Sequence, residues 1–212
     1  KKEGILFIDE INCVSETLAP TMLQFLQNKT FGSHSVPEGW LIAAAGNPPE
    51  YNKSVREFDI VTLDRVRRMD IEADLEVWME YAWKKEIHGS ILAYLGMKKD
   101  HFYSVENTVD GKFFVTARGW EDLSEILKVY EELGVEITEN LVGEYLCRDE
   151  IARSFFASYQ LYRKYGEDYG LERLLSGEMP EKEQLKKVKM AKDASFEERF
   201  LVTGLLLDGL NG

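Results

Sequence analysis

The sequence predicts an α/β region followed by an all-α region, and three observations lead to this prediction. Two unbroken apolar runs, in GILFID (4–9) and WLIAAAGN (40–47), have the length of strands, and the segment between them has helical spacing. Such continuous runs are typical of strands covered on both faces of a parallel sheet. Beyond residue 72, long helical patterns follow. We therefore expect an α/β part over residues 1–72 and a helical part over residues 73–212.

The first part has the order strand, helix, strand. Ser15 is a predicted N-cap for the helix between the two apolar runs. We expect a second helix around residues 57–65 and a short strand, RMDIE, at residues 68–72. The first helix has one apolar face, formed by Leu18, Met22, Phe25 and Leu26.

The second part begins with a predicted helix over residues 75–94. An aromatic-rich stretch follows, and its Asp110-Gly111 dipeptide predicts a hairpin-like connection. Thr116 is the predicted N-cap of the next helix, and Gly134 its predicted stop. The apolar stripe of that helix is Leu123, Ile126, Leu127 and Tyr130.

Further helices are expected toward the end of the chain. One has a stripe at helical spacing, Ile151, Phe155, Tyr159 and Tyr162, and another spans FEERFLVTGLLLDGL (196–210). Stripes at this spacing usually face the core. A local run of lysines is predicted to be a solvated helix face; it comprises Lys182, Lys186, Lys187, Lys189 and Lys192.

Composition restricts the class of protein. The chain has 212 residues, 44% of them hydrophobic, which is enough to bury a core. Neither an apolar run of membrane-spanning length nor a signal-peptide pattern is present, so we expect a cytoplasmic protein. A net charge of −12 disfavours nucleic acid as the main partner. Cys13 and Cys147 lie far apart, and the three histidines are isolated, so neither a disulfide framework nor a zinc site is predicted.

Asp9 and Glu10 follow directly after the first apolar run. In open α/β sheets, ligands bind at the carboxyl ends of the strands, which is where these two carboxylates would lie. One could hold a hydrated metal ion while the other orients or deprotonates a water, a division that suits phosphoryl transfer. The alternative is that the pair begins a turn and caps the following helix.

Asn47 ends the second apolar run. In a parallel sheet it would emerge at the same edge as Asp9 and Glu10, within reach of the same water or phosphate. Pro48 and Pro49 then turn the chain away from the sheet. The alternative is a simple Asn-Pro turn.

Two arginine segments could add positive charge to such a site. Arg65, in TLDRVRRMD (62–70), could neutralise phosphate charge on a neighbouring subunit, and Arg67 or Arg68 could take its place. A favourable position at a helix end would also explain Arg65.

Arg118 stands in the first turn of the helix that Thr116 caps. The helix dipole disfavours a cation there by roughly 0.3–1 kcal/mol, whereas a helix N-terminus with a guanidinium makes a strong anion site. The alternatives are an ordinary surface arginine or an ion pair with Glu121 or Asp122.

Taken in order, four segments resemble the Walker B, sensor 1, arginine-finger and sensor 2 segments of AAA+ ATPases. They are ILFIDE (5–10), AAAGNPPEYN (43–52), TLDRVRR (62–68) and TARGWEDLSEIL (116–127). The residues of the DEIN and GNPPEYN segments are most similar to those of the MoxR branch. Two departures are Val66, where a Phe is expected after the Asp-Arg pair, and Thr116-Ala117, where Ser/Thr-Pro is more usual.

The resemblance implies a fold and a set of roles. The fold would be a partial P-loop NTPase (AAA+) parallel sheet, with sheet order 5-1-4-3-2, followed by a helical lid and a helical C-terminal extension. With ATP and Mg²⁺ as cofactors, Asp9 would assist the metal ion and Glu10 would polarise the attacking water. Asn47 would help place that water, Arg65 would act in trans, and Arg118 would contact phosphate from the lid.

The sequence contains no G-x-x-x-x-G-K-[ST] loop, which in this family precedes the Walker B strand. We therefore expect the chain to be the C-terminal portion of a longer ATPase, inactive alone, with an unpaired apolar edge on strand 40–45. The intact protein would form a homo-oligomeric ring that remodels an unidentified protein partner or assists metal cofactor insertion. The rival hypothesis is a non-enzymatic helical interaction module with a vestigial nucleotide-site sheet. Its aromatic faces would bind protein.

Overall fold

The computed structural model describes residues 2–15, 17–48, 55, 60–64, 66–108 and 111–211. It forms two compact units, Lys1–Ile71 and Glu72–Gly212. The division falls one residue before the boundary expected from the sequence. The described chain is mixed α/β, with short parallel and antiparallel sheets and much more helix than strand.

The first unit contains a parallel strand pair, a short hairpin and two helices. In chain order its elements are β1 (Gly4–Ile8), α1 (Ala19–Asn28), β2 (Thr30–Phe31), β3 (His34–Ser35), β4 (Trp40–Ala44) and α2 (Ile60–Leu63). β1 and β4 run parallel, with Gly4 opposite Trp40 and Ile8 opposite Ala44. The predicted order of strand, helix and parallel strand is confirmed, and the β2–β3 hairpin is additional to the predicted elements.

The expectation that these strands are covered on both faces is wrong for the described structure. Ile5 and Leu41 lie opposite each other and are 66% and 61% exposed, and Phe7 on the same face is 61% exposed. No described residue covers this apolar face. Among the described residues β4 pairs with β1 alone, which leaves its other edge without a strand.

Ser15 is not the N-cap of α1. The helix begins after Leu18, and the Ser15 hydroxyl instead pairs with Thr17 Oγ1 at 3.0 Å. Pro20 sits in the first turn, where its fixed φ and missing N–H are tolerated, and this places the helix start later than Ser15.

The strand predicted at residues 68–72 is also absent. These residues have neither helical nor strand structure, and Met69 and Ile71 are 81% and 88% exposed. A strand is stabilised by pairing, and no described strand pairs with this segment. Of the helix predicted over residues 57–65, residues 57–59 and 65 lie outside the described residues, and Ile60–Leu63 is helical.

The second unit is mainly helical and contains one hairpin. Its elements are α3 (Leu75–Lys84), α4 (Gly89–Met97), β5 (Ser104–Thr108), β6 (Gly111–Val115), α5 (Ala117–Leu133), α6 (Glu139–Tyr145), α7 (Asp149–Tyr169), α8 (Leu171–Leu175), α9 (Glu181–Asp193) and α10 (Phe196–Asn211). β5 and β6 are antiparallel, which confirms the hairpin, although residues 109 and 110 lie outside the described residues. No helix in the described part of the chain has both the length and the apolar character to cross a membrane.

Both predicted ends of α5 are confirmed. Thr116 Oγ1 accepts a hydrogen bond from Gly119 N at 3.2 Å, and Gly134 has the left-handed conformation (φ 65°) that ends many helices. Between these ends, Leu123 and Leu127 are completely buried. The periodicity of the sequence therefore identified the buried face correctly.

The core of the second unit is built on aromatic rings. Trp120 and Phe155 are completely buried and meet edge to face at 5.4 Å, and Tyr94 packs against both rings. The Trp120 indole N–H donates to the carbonyl of Phe102 at 3.0 Å. Its polar group is therefore satisfied although the ring is buried.

The single helix predicted over residues 75–94 is wrong, because the chain breaks at Glu86–His88. Glu86 has a left-handed backbone (φ 54°), and His88 caps the new helix α4 by accepting from Ser90 N at 3.2 Å. His88 N also donates to Ser124 Oγ at 2.8 Å. These contacts stabilise a helix start where the apolar spacing alone continues without interruption.

His88 is buried and lies at the centre of a hydrogen-bond network whose carboxylate, Glu131, is partly exposed. Since its Nδ1 accepts the Ser90 N–H, its Nε2 carries the proton and donates to Glu131 at 3.0 Å. Tyr159 donates its hydroxyl to the same carboxylate at 2.8 Å. Burial, followed by the hydrogen bond to Glu131, raises the pKa of Tyr159, so this hydroxyl keeps the proton that it donates.

Glu131→Gln tests the contribution of this network. Burial alone would raise the pKa of Glu131, but His88, the Tyr159 hydroxyl and the charge of Arg163 lower it below 4.5. The stabilisation that the Glu131 carboxylate provides is therefore fully present above pH 4.5. It is lost as the pH falls through the pKa that Glu131 has in the folded protein, which is lower than 4.5. We expect a loss of about 1–2 kcal/mol at neutral pH, measured by urea unfolding, and a smaller loss in acid.

The matched control is Glu132→Gln, which neutralises an exposed neighbour that makes no ion pair with the described residues. It should leave the free energy of unfolding within about 0.5 kcal/mol of the parent value. A loss for Glu131→Gln that stays constant from neutral pH to pH 3 would contradict the assigned role of the carboxylate charge.

Candidate functional site

The candidate site starts where β1 ends. Ala45 N donates to the carbonyl of Ile8 at 2.9 Å, and Ile11 N donates to the carbonyl of Ala45 at 3.0 Å. Asp9 and Glu10 therefore lie between two hydrogen bonds to the same residue and take no part in the strand ladder. Both are exposed, so this two-residue bulge presents two carboxylates at the end of the strand.

Glu10 has a left-handed backbone, with φ 49° and ψ 39°. A residue with a Cβ pays roughly 1–2 kcal/mol for this conformation, and such strained positions cluster at functional sites. Asp9 Oδ1 accepts from Glu10 N at 2.9 Å, which holds the Asp9 carboxylate beside the bulge. This hydrogen bond orients the Asp9 side chain, and the positive φ of Glu10 turns the backbone out of the strand.

Asn12 joins the ends of the two strands. Its Nδ2 donates to the carbonyl of Asn47 at 2.8 Å, while its Oδ1 is buried without a hydrogen-bond partner among the described residues. A Cβ on Gly46 would overlap this amide, so a larger residue at that position would force the Asn12 side chain to shift. The Oδ1 is therefore a buried acceptor to which no described residue donates a hydrogen bond.

The structure brings three of the predicted site residues to one edge. β1 and β4 are parallel and in register, so Asp9, Glu10 and Asn47 all follow strand ends on the same side of the pair. Asn47 is exposed, and its backbone carbonyl is held by Asn12. The alternative, that the pair begins a turn and caps the following helix, is seen in part. Glu10 stands at the N-cap position of a short 3₁₀ helix, Ile11–Cys13, but its side chain makes no capping hydrogen bond. Neither residue caps α1, which begins ten residues after Asp9, at Ala19.

The arginine predictions have different outcomes. Arg65 lies outside the described residues. Arg68 Nε contacts Asp70 Oδ1 at 2.8 Å on the surface, an exposed pair of little energetic value. Arg67 is exposed and makes no ion pair with the described residues, which leaves it available as the alternative to Arg65.

Arg118 is exposed in the first turn of α5, in the second unit. Neither Glu121 nor Asp122 forms an ion pair with it; Glu121 instead accepts from the Tyr81 hydroxyl at 2.7 Å. A local ion pair therefore does not explain the presence of a cation at the positive end of this helix.

The bulge offers two exposed carboxylates, which are oxygen donors of the kind that Mg²⁺ takes. The described residues contain no group of three or more His, Cys, Asp or Glu side chains that could hold a metal. Mg²⁺ is usually bound through one or two carboxylates together with waters and substrate phosphates. Asp9, which is exposed at the end of β1, fits that pattern.

Asn12 is the one site residue that the sequence prediction missed. The sequence did contain a signal for Asn12, which lies in the DEIN segment directly after the first strand. An amide side chain there can donate a hydrogen bond to one strand end and accept one from another group. Comparison of the chain with protein-family models, with curated proteins and with solved structures found no match. The site must therefore be interpreted from its own geometry.

Glu10→Gly and Glu10→Ala together test the backbone strain. Both remove the carboxylate, but only alanine retains the Cβ that disfavours positive φ, so the glycine variant should be more stable by about 1 kcal/mol. The measurement is hydrogen exchange of residues 4–11 and 40–45. Glu86, which has the same backbone conformation in the second unit, provides a positive control through Glu86→Gly and Glu86→Ala. Equal stability of the two Glu10 variants would mean that the bulge is not strained.

Gly46→Ala tests the contact with the Asn12 amide. The added methyl should destabilise the strand ends by about 1–3 kcal/mol through overpacking, measured by hydrogen exchange of residues 40–47. In an Asn12→Ala background the same change should cost much less, because the overlapping amide is gone. Equal costs in the two backgrounds would show that Asn12 and Gly46 are not coupled.

Proposed function

We propose that the chain forms part of the ATP-hydrolysing site of an AAA+ ATPase similar to the MoxR branch. The observation that carries the proposal is the Asp9–Glu10 bulge, which stands beside Asn47 at the carboxyl edge of a parallel strand pair. Parallel sheets bind their ligands at this edge. The pairing of β1 with β4 is also the neighbour relation that the implied sheet order 5-1-4-3-2 requires of strands 3 and 4.

The proposed roles follow from the chemistry of the side chains. ATP with Mg²⁺ supplies the phosphoanhydride bond and the cation that neutralises phosphate charge. Asp9, held by the N–H of Glu10, assists the magnesium ion. Glu10 projects from the bulge as the group that polarises the attacking water. Asn47 orients that water, and Asn12 is the positioning residue that holds the backbone of Asn47 in place.

The remaining parts of the site are proposed to come from other segments. Arg65, or Arg67 in its place, would act on the site of a neighbouring subunit in a homo-oligomeric ring. Arg118 would contact phosphate from the helical unit. A glycine-rich lysine loop, which is not in this sequence, would cradle the phosphates from an upstream segment of the intact protein. The ring would use hydrolysis to remodel a protein partner or assist metal cofactor insertion.

The rival non-enzymatic module would need free aromatic faces. Four of the six aromatic residues that it would use are in the core: Trp78, Phe155, Tyr159 and Tyr162. Phe156 packs partly against the same core, and Trp83 alone among the six remains substantially exposed, at 42%. This burial supports a structural role for most of these rings and weakens the argument for a non-enzymatic module.

The test is magnesium-dependent phosphate release by the full-length gene product and its Glu10→Gln variant. Loss of a positioned general base typically costs a factor of about 10²–10⁴, so we expect turnover to fall about 100-fold or more. Binding of a fluorescent ATP analogue should persist, because the amide retains the shape of the side chain. Glu38→Gln, at an exposed carboxylate in the turn before β4, is the matched control and should retain full turnover.

Two outcomes would refute the proposal. One is Glu10→Gln turnover within about twofold of the parent rate, which would exclude the carboxylate from the reaction. The other is a full-length product that neither binds the ATP analogue nor releases phosphate, which would favour the non-enzymatic module.

A further inference from the structure

The exposed face of α9 combines lysines with aliphatic side chains. We call it the basic stripe: Lys182, Leu185, Lys186, Val188, Lys189 and Lys192. Leu185 and Val188 are 63% and 51% exposed. The opposite face holds the helix to its own unit, since Met190 and Ala191 pack on the core and Lys187 Nζ donates to the carbonyl of Asp168. Lys187 is therefore not part of the basic stripe.

The four lysines of the basic stripe are exposed, as expected for a solvated helix face. Leu185 and Val188, which lie one turn apart among them, add a small exposed apolar patch with a charged rim. Such patches mark surfaces that contact another molecule when they are extensive. None of the four lysines of the basic stripe forms an ion pair with the described residues, so their charges are available to a partner.

A complementary surface lies on the exposed side of α5 and just beyond its end. We call it the acidic stripe: Asp122, Glu125, Val129, Glu132, Leu133 and Glu136. Val129 and Leu133 are 44% and 69% exposed, so this stripe also surrounds two aliphatic side chains with charge. Its four carboxylates make no ion pair within the described part of the chain.

The helical parts of the two stripes have similar lengths and net charges of opposite sign. At 1.5 Å per residue, Lys182 to Lys192 spans about 15 Å, and Asp122 to Leu133 about 16 Å, with Glu136 lying beyond the end of α5. The face of α9 that carries the basic stripe also exposes Glu181 and Asp193, so its four lysines outnumber two carboxylates. We propose that the basic stripe of one copy of this chain binds the acidic stripe of a second copy.

The proposed contact is heterologous, because it joins two different surfaces. Each bound copy leaves one stripe of each kind free for a further copy, so the assembly grows into a closed ring or an open filament. The inference does not rest on the proposed function, since no residue of either stripe belongs to the candidate nucleotide site. A second copy is favoured over nucleic acid because its acidic stripe offers aliphatic contacts to Leu185 and Val188 as well as negative charge. The net charge of −12 opposes the approach of a second copy as well as that of a phosphate backbone, so the attraction comes from the local charges of the two stripes.

Charge reversal on each stripe tests the contact by sedimentation velocity. We expect the parent chain to associate in a concentration-dependent and salt-sensitive way. Lys186→Glu/Lys189→Glu and Glu125→Lys/Glu132→Lys should each weaken association by at least about tenfold, since attraction becomes repulsion at two positions. Circular dichroism should show unchanged helix content, because all four positions are exposed.

Restoring opposite charges across the contact distinguishes binding between the two stripes from a general effect of the protein's charge. The two reversed variants, when mixed, should bind each other, because the unaltered acidic stripe of one meets the unaltered basic stripe of the other. The two altered stripes also oppose each other with complementary charges at the reversed positions. A chain with all four substitutions should associate like the parent. The matched control, Lys84→Glu/Lys85→Glu, makes the same charge change on α3 outside both stripes and should leave association unchanged.

Three results would overturn the proposal. The first is a parent chain that stays monomeric at every concentration reached. The second is association that survives both reversals but is lost in Phe7→Thr/Leu41→Thr, which would assign it to the exposed sheet face. The third is a monomeric parent that binds single-stranded DNA, in fluorescence anisotropy, through the lysines of the basic stripe.

Discussion

The two backbone hydrogen bonds of Ala45 determine the conformation of the candidate site. The regular pairing of β1 and β4 ends at Ile8 and Ala44, and Ala45 then bonds to Ile8 on one side and to Ile11 on the other. Two residues must fit between those bonds, so the chain bulges and Glu10 takes a left-handed backbone. The exposure of both carboxylates follows from this arrangement, since neither residue can join the ladder while Ala45 is shared.

The fold was predictable where the deciding signal was local. Thr116, Gly134 and the apolar stripe of α5 are short-range features, and each has the predicted role. The break at Glu86–His88 was not predictable in this way, because the contacts that stabilise it come from Ser124 and Glu131, which are distant in sequence. The failed strand at residues 68–72 has the same explanation, since alternating apolar residues form a strand only where another strand pairs with them.

The candidate site shows the same limit. The strand ends identified Asp9, Glu10 and Asn47, because parallel strands carry their carboxyl ends to one edge. The strain at Glu10 and the hydrogen bond from Asn12 to Asn47 depend on how closely β4 approaches the bulge. A sequence pattern does not contain the distance between two strands. Gly46 indicates the close approach only when its missing Cβ is placed beside the Asn12 amide. Arg65, which the resemblance singled out, lies outside the described residues and remains a prediction.

Helix α5 connects features that the sequence presents separately. Its first turn carries Arg118, its buried side holds Leu123 and Leu127 in the aromatic core, and its outer side carries the acidic stripe. A helix of 17 residues is about 25 Å long. If Arg118 binds phosphate and the acidic stripe binds a second copy, both contacts act on one rigid, well-anchored body. Any displacement of α5 on phosphate binding at Arg118 would then move the contact between copies. By linkage, phosphate binding at Arg118 and association of two copies would change each other's affinity by the same factor.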